Sequence, residues 1–236
     1  PEGGVSGRRV VPLSTGTGRR PEIWCVHTAT GIVEQFRALG ESLPSASVFG
    51  LQLPELVLAE RDLPTTIEGI AALHVEAIRA TQPQGPYRVV GWSVGGVVAH
   101  EIARRLVELG EEVALLVLLD ARTPAELATV DDAELRAADH PLRALAEQHD
   151  PDALRRFEDR TRGLAAAARS YDLRPVAAGK VLYVAAQDNP DPDAWRRAVD
   201  PAGRAVVDVL HADTTHAELG QPDVLARVAR RIEEEW

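Results

Sequence analysis

The stretch that decides the fold is Tyr87-Arg88-Val89-Val90-Gly91-Trp92-Ser93-Val94-Gly95-Gly96-Val97-Val98-Ala99. Tyr87 to Val90 reads as a strand, and from Val97 an apolar helical pattern runs to Leu109, where Gly110 supplies a C-cap glycine. Between them lies Gly-x-Ser-x-Gly at positions 91–95. A chain that passes from strand to helix in so few residues must turn sharply, and a serine at the apex is lifted clear of the sheet with its Oγ exposed. The turn has no room for bulky neighbours, which accounts for Gly91 and Gly95 on either side. Gly-Ser-Gly also occurs in ordinary loops, so it is the flanking strand and helix that make Ser93 the candidate nucleophile.

Outward from this elbow, strand and helix alternate. Residues 23–26 read as a strand, Ala29, Thr30 and Gly31 as a turn, and 33–43 as a helix with Phe36, Leu39 and Leu43 at helical spacing. Residues 48–51 form a short strand and 67–80 a helix with Ile70, Leu73, Ala77 and Ile78 inward. The run 113–119 is apolar throughout, as expected of a parallel strand buried on both faces. Strand character returns at 180–185 and 205–210, and 224–234 closes the chain as an amphipathic helix. The fold class is therefore α/β, a mostly parallel central sheet with helices on both faces. Residues 124–163 interrupt the alternation with charged helical pieces around Pro141 and Pro151, the pattern of an inserted helical lid. Residues 1–18 read as an interdomain linker ending in an edge strand around Val10-Val11-Pro12-Leu13, and 19–236 as one domain.

A serine hydroxyl is a weak nucleophile at neutral pH. It needs an imidazole to take its proton and a carboxylate to hold that imidazole in one tautomer. With a serine elbow of this type the order is Ser, then Asp or Glu, then His, with the acid in a loop at the carboxyl end of a later strand. Asp120 closes the 113–119 strand, 27 residues beyond Ser93, and meets both conditions. Asp188, after the 180–185 strand, competes with it, and turn-capping aspartates are common after strands. His211 and His216 both follow the last strand. His216 opens the last loop before the closing helix and is the candidate base; His211 continues the strand. A tetrahedral intermediate also needs two backbone N–H donors, one from the residue after the nucleophile and one from the loop after the early strand. Val94 and Ala29 occupy those places. His27, His74, His100, His140 and His149 read as surface or core residues, with His27 nearest the site.

Composition narrows the alternatives. The 236 residues are 45% apolar, enough for one large core that buries roughly three quarters of the unfolded surface. A net charge of -10 disfavours a nucleic-acid partner. Cys25, the single cysteine, lies in an apolar strand, which excludes an internal disulfide and fits an inert core thiol in a cytoplasmic protein. No stretch of about 20 apolar residues suggests a membrane span, and no His-Glu-x-x-His pattern suggests a metal. The acidic run at 188–193 reads as a solvated loop. The chain begins at Pro1 and contains no methionine, and is read as a segment of a longer polypeptide.

Val10-Val11-Pro12-Leu13, Trp24-Cys25-Val26-His27 with Gly31, Gly91-Trp92-Ser93-Val94-Gly95-Gly96, Leu118-Leu119-Asp120 and His216-Ala217-Glu218-Leu219 together resemble the type I thioesterase domains of nonribosomal peptide synthetases and related polyketide or hybrid lines. The resemblance spans nearly the whole chain and implies an α/β-hydrolase fold. It implies that Ser93 receives a peptidyl or acyl chain from the phosphopantetheine arm of an upstream carrier domain, with no cofactor bound directly, and that water or an internal nucleophile then releases it. Ser93, Asp120 and His216 match the triad positions, and Ala29 and Val94 the oxyanion positions. Family members often carry proline after the residue matching His27, where this chain has Thr28. A free-standing type II editing thioesterase and a carboxylesterase or lipase-like hydrolase are the alternative enzymes, and an α/β-hydrolase scaffold used only for binding is the non-enzymatic one. The released product, and hydrolysis against cyclisation, stay open.

Overall fold

The computed structural model describes residues 9–18, 20–53, 64–130, 151–199 and 206–236. Among the described residues seven strands form one sheet: β1 (Val10–Ser14), β2 (Arg20–Val26), β3 (Ala46–Leu51), β4 (Tyr87–Trp92), β5 (Val113–Leu119), β6 (Lys180–Ala185) and β7 (Val206–His211). Their order across the sheet is β1-β3-β2-β4-β5-β6-β7. Of these strands β1 runs antiparallel, pairing with β3 at the edge, and the other pairs are parallel.

The period-two geometry of a strand sorts its side chains between the two faces. Trp24, Val26, Val89, Leu116, Leu118, Val181 and Tyr183 enter a core under the helices α2 (Ile67–Thr81) and α3 (Val94–Glu108). Ile23, Cys25, Val90, Leu115, Val117, Leu182 and Val184 enter a second core on the opposite face. That second core is covered by α1 (Arg37–Glu41) and by Val224, Leu225, Val228, Ala229 and Ile232 of the last helix (Pro222–Glu233). Each fully buried side chain of this size contributes about 1.5 to 3 kcal/mol.

Where 33–43 reads as one helix, the chain forms a 3-10 turn at Glu34–Phe36 followed by the five-residue α1, although Phe36, Leu39 and Leu43 are all buried as their spacing implies. Of the expected lid at 124–163, residues 131–150 lie outside the described residues. On either side are α4 (Pro124–Leu127), started by a Thr123–Glu126 capping box, and α5 (Pro151–Arg169), which runs past the expected boundary. The acidic run at 188–193 is followed directly by α6 (Ala194–Val199), and Pro222–Glu233 is α7. Residues 1–8 of the expected linker lie outside the described residues, and β1 follows them.

The chain moves from β2 outward to β3 and then returns to the other side of β2 with β4. This reversal makes a crevice above the carboxyl ends of β2 and β4, the place where open α/β sheets bind ligands. The loops after β2, β4, β5 and β7 all reach this end.

Candidate active site

β4 ends at Trp92, and Ser93 joins it to α3 at φ 57 and ψ -131. A side chain at such a backbone angle stores strain of roughly 1–3 kcal/mol, which the surroundings must hold in place. Missing Cβ atoms do much of that. A Cβ on Gly91 would lie 2.3 Å from the Gly95 carbonyl oxygen, and one on Gly95 only 2.2 Å from the carbonyl oxygen of His27. The first turn of α3 therefore packs directly on the start of the loop after β2. The Ser93 N–H donates to Leu119 O at 3.0 Å, tying the elbow to β5.

Asp120 leaves β5 with φ 43 and is 1% exposed. Its Oδ2 accepts from His216 Nδ1 at 2.7 Å, and its Oδ1 accepts from the Ala186 N–H at 3.0 Å and Asn189 Nδ2 at 2.6 Å. Burial by itself would push the carboxyl up. The hydrogen bonds from His216, Ala186 and Asn189, with the imidazole's charge when protonated, outweigh it and hold Asp120 below the ordinary carboxylate value. Asn189 also donates to Tyr183 Oη at 2.9 Å, and Tyr183 Oη donates to Ala121 O at 2.9 Å. Because a carboxylate only accepts, His216 carries its proton on Nδ1, leaving Nε2 with a free lone pair.

His216 opens a 3-10 turn at His216–Glu218, fixed by a Thr215–Glu218 capping box, and its ring lies 6.1 Å from that of Trp92 beside the elbow. Asp188 takes a different partner: its Oδ1 accepts from the His216 backbone N–H at 3.1 Å. The two competing aspartates thus divide the histidine between them, Asp120 on the ring and Asp188 on the main chain. His211 sits exposed at the end of β7.

Of the two oxyanion donors expected from the sequence, Val94 is the first residue of α3, and Ala29 lies in the turn Thr28–Gly31, closed by Gly31 N–H to Thr28 O at 2.9 Å. Gly31 has φ 79, a conformation that favours glycine. The Thr28 and Thr30 hydroxyls bond each other at 3.0 Å, and Gln35 Nε2 donates to Ile32 O at 2.9 Å. His27, His74 and His100 are fully buried, while His140 and His149 lie outside the described residues. Burial pushes the Cys25 thiol well up, so it stays protonated. Asn189 and the Thr28–Thr30–Gln35 cluster are the residues that sequence reasoning misses; the one available signal is the position of Asn189 directly after the candidate acid Asp188. Among the described residues no group of three His, Cys, Asp or Glu side chains could hold a metal ion, and no helix is long and apolar enough to cross a membrane.

A family model described as "Thioesterase domain" matches residues 21–235. The chain belongs to the thioesterase domain family. This thioesterase domain has the α/β-hydrolase fold and is a hydrolase acting on thioesters. It is 29% identical over 238 residues to malpibaldin synthetase of Mortierella alpina, an alignment covering 94% of this chain and 4% of that protein. It is 40% identical over 113 residues to a dimodular nonribosomal peptide synthase of Bacillus subtilis, covering 48% of this chain and 5% of that protein. The thioesterase domain therefore spans a small fraction of these curated relatives. Among solved structures, the covalent complex of the NocB thioesterase domain with a fluorophosphonate nocardicin G analogue superposes with a TM-score of 0.75 at 26% identity, covering 97% of this chain and 99% of that one.

Proposed function

We propose that this thioesterase domain is a type I releasing domain of a nonribosomal peptide or related acyl assembly line, with Ser93 as nucleophile, His216 as general base and Asp120 as the acid that orients it. The observation that carries the reading is the 2.7 Å bond from His216 Nδ1 to a buried, ionised Asp120, at the same end of the sheet as a serine held at positive φ. His216 Nε2 takes the Ser93 Oγ proton as Oγ attacks the thioester carbonyl carbon. The oxygen's developing charge is met by the N–H groups of Val94 and Ala29, each such donor contributing about 2.7 to 4 kcal/mol. The carbon–sulfur bond then breaks, the imidazolium gives its proton to the departing pantetheine thiolate, and an ester to Ser93 remains. Water or a nucleophile within the acyl chain repeats the sequence and frees the product. The relatives named as a synthetase and a peptide synthase support an upstream carrier domain as the acyl donor.

Exposure to an acyl fluorophosphonate, followed by intact-mass and peptide mapping, tests this assignment. Stoichiometric labelling at Ser93 is expected, abolished in Ser93→Ala and slowed at least a hundredfold in His216→Ala. Pantetheine-like thioesters are expected to turn over faster than simple nitrophenyl esters. A folded sample that takes no label would refute the nucleophile, and a preference for nitrophenyl esters would favour a carboxylesterase. Product masses from a carrier-bound peptide separate hydrolysis from cyclisation.

A further inference from the structure

Directly behind the Thr28–Gly31 turn lie two histidines with no exposed surface, His27 at the end of β2 and His74 on α2, their rings 5.2 Å apart and inclined at 58°. His27 Nδ1 lies 2.7 Å from Thr28 O. A carbonyl oxygen only accepts, so Nδ1 carries the proton and the tautomer is set. Neither His27 Nε2 nor either His74 nitrogen has a hydrogen-bond partner among the described residues. Burial keeps both rings neutral, with His27 brought down to about 4 chiefly by burial and further by Arg160 and Arg9, against the raising effect of its bond to Thr28. His74 is also lowered by burial, with His27 and Arg9 adding to the effect.

The bond that His27 makes has a directional consequence. Thr28 C=O and Ala29 N–H belong to one planar trans peptide, so they point in opposite directions. Two donors, His27 Nδ1–H and the Gly31 N–H, hold that carbonyl. They thereby fix the reverse direction of the Ala29 N–H. We propose that His27, braced by His74, is a positioning residue for the oxyanion pocket: it orients the Thr28–Ala29 peptide so that the Ala29 N–H is already aimed at the developing negative charge. The role suits this chain in particular. A proline at 28 would stiffen the turn through its own ring; here Thr28 leaves the backbone free to rotate, and the His27 bond, with the Thr28–Thr30 hydroxyl pair, supplies the restraint.

The inference rests on the proposed oxyanion donors, and its test separates the two. His27→Leu removes the donor at similar volume, while His27→Asn keeps an N–H near the position of Nδ1. With a pantetheine thioester, His27→Leu is expected to lower kcat about 100-fold at nearly constant KM, the penalty typical of a donor displaced by about 1 Å. The Ki of a trifluoromethyl ketone analogue, whose adduct with Ser93 bears the oxyanion, should rise by the same factor, and His27→Asn should recover at least a tenth of the parent kcat. A kcat loss without a matching change in Ki, or no kcat loss, overturns the proposal. Should His27→Leu fail to fold, nitrogen-15 NMR of the parent decides: a proton on Nε2 rather than Nδ1 of His27 overturns it. A parent with no turnover and no Ser93 label instead refutes the catalytic reading itself.

Discussion

The neighbouring strands β4 and β5 end in the same way and are held by opposite means. Each delivers a non-glycine residue at positive φ, Ser93 at 57 and Asp120 at 43. At the elbow the strained angle is enforced by missing atoms, since Gly91 and Gly95 leave less than 2.5 Å for a Cβ against backbone oxygens. At the acid corner it is enforced by bonds: Asp120 N–H donates to Val184 O at 2.7 Å, and its carboxylate accepts from Ala186, Asn189 and His216, all far away in sequence. Strain held by sterics is written beside the strained residue. Strain held by hydrogen bonds is written wherever the fold brings donors.

The largest test of this contrast is Asp120→Asn. Asparagine tolerates the positive φ, so the corner should keep its shape while the amide turns His216 to the wrong tautomer, lowering kcat by about 10⁴-fold in a steady-state thioester assay. A drop smaller than tenfold would move the acid's role elsewhere.

Acid unfolding separates the Asp120 corner from the buried histidines by pH window. His27 and His100 are lowered from 6.5 to about 4, mainly by burial. The unfolded chain therefore binds protons on these rings that the folded chain refuses, and stability falls as pH drops from about 6.5 towards 4, by roughly 3 kcal/mol per ring. His74, also lowered by burial, adds to this window. Asp120 acts further down: its folded value is depressed, so its contribution is complete above its unfolded value of about 3.9 and disappears as pH falls through the folded one. Urea titrations from pH 7 to 3 should show both slopes, with Asp120→Asn reducing only the lower and His27→Asn reducing only the upper, where His100 and His74 keep their share.

Gly95→Ala tests the steric side. Its Cβ would meet the His27 carbonyl oxygen at 2.2 Å, and a main-chain oxygen cannot swing aside, so a loss of roughly 3 kcal/mol in urea unfolding is expected. An unchanged midpoint would mean that the elbow and the β2 loop are not in contact. The smallest effect belongs to Asp188→Asn. Its carbonyl oxygen can still accept from the His216 N–H, so kcat should stay within about threefold of the parent; a large loss would reopen the choice of acid.

Much of the frame was legible because its signals are local. Residues 113–119 read as a buried parallel strand and form one, and Ile70 and Ile78 are buried on α2 as their spacing implies. Residues 33–43 misled because apolar spacing marks a buried face and says little about whether the backbone between is a 3-10 turn or a helix. For the candidate site, the elbow could be read from five residues, while Asp120 and Asp188 each satisfied the same rule of an aspartate after a strand. Asn189 was marked only by its place directly after Asp188, and the His27 bond to Thr28 not at all, because neither involves a spacing that repeats.

By itself, then, the sequence determined the alternation of strand and helix, the two-faced core and the sharp turn at Ser93, since each follows from periodicity or from the space a glycine leaves. Only the tertiary structure decided which aspartate meets the His216 ring, which meets its backbone, and what steadies the turn carrying Ala29. Those choices depend on directions of individual N–H and C=O groups from β2, β5, β6 and the last loop, and such directions exist only once the sheet has brought the strands side by side.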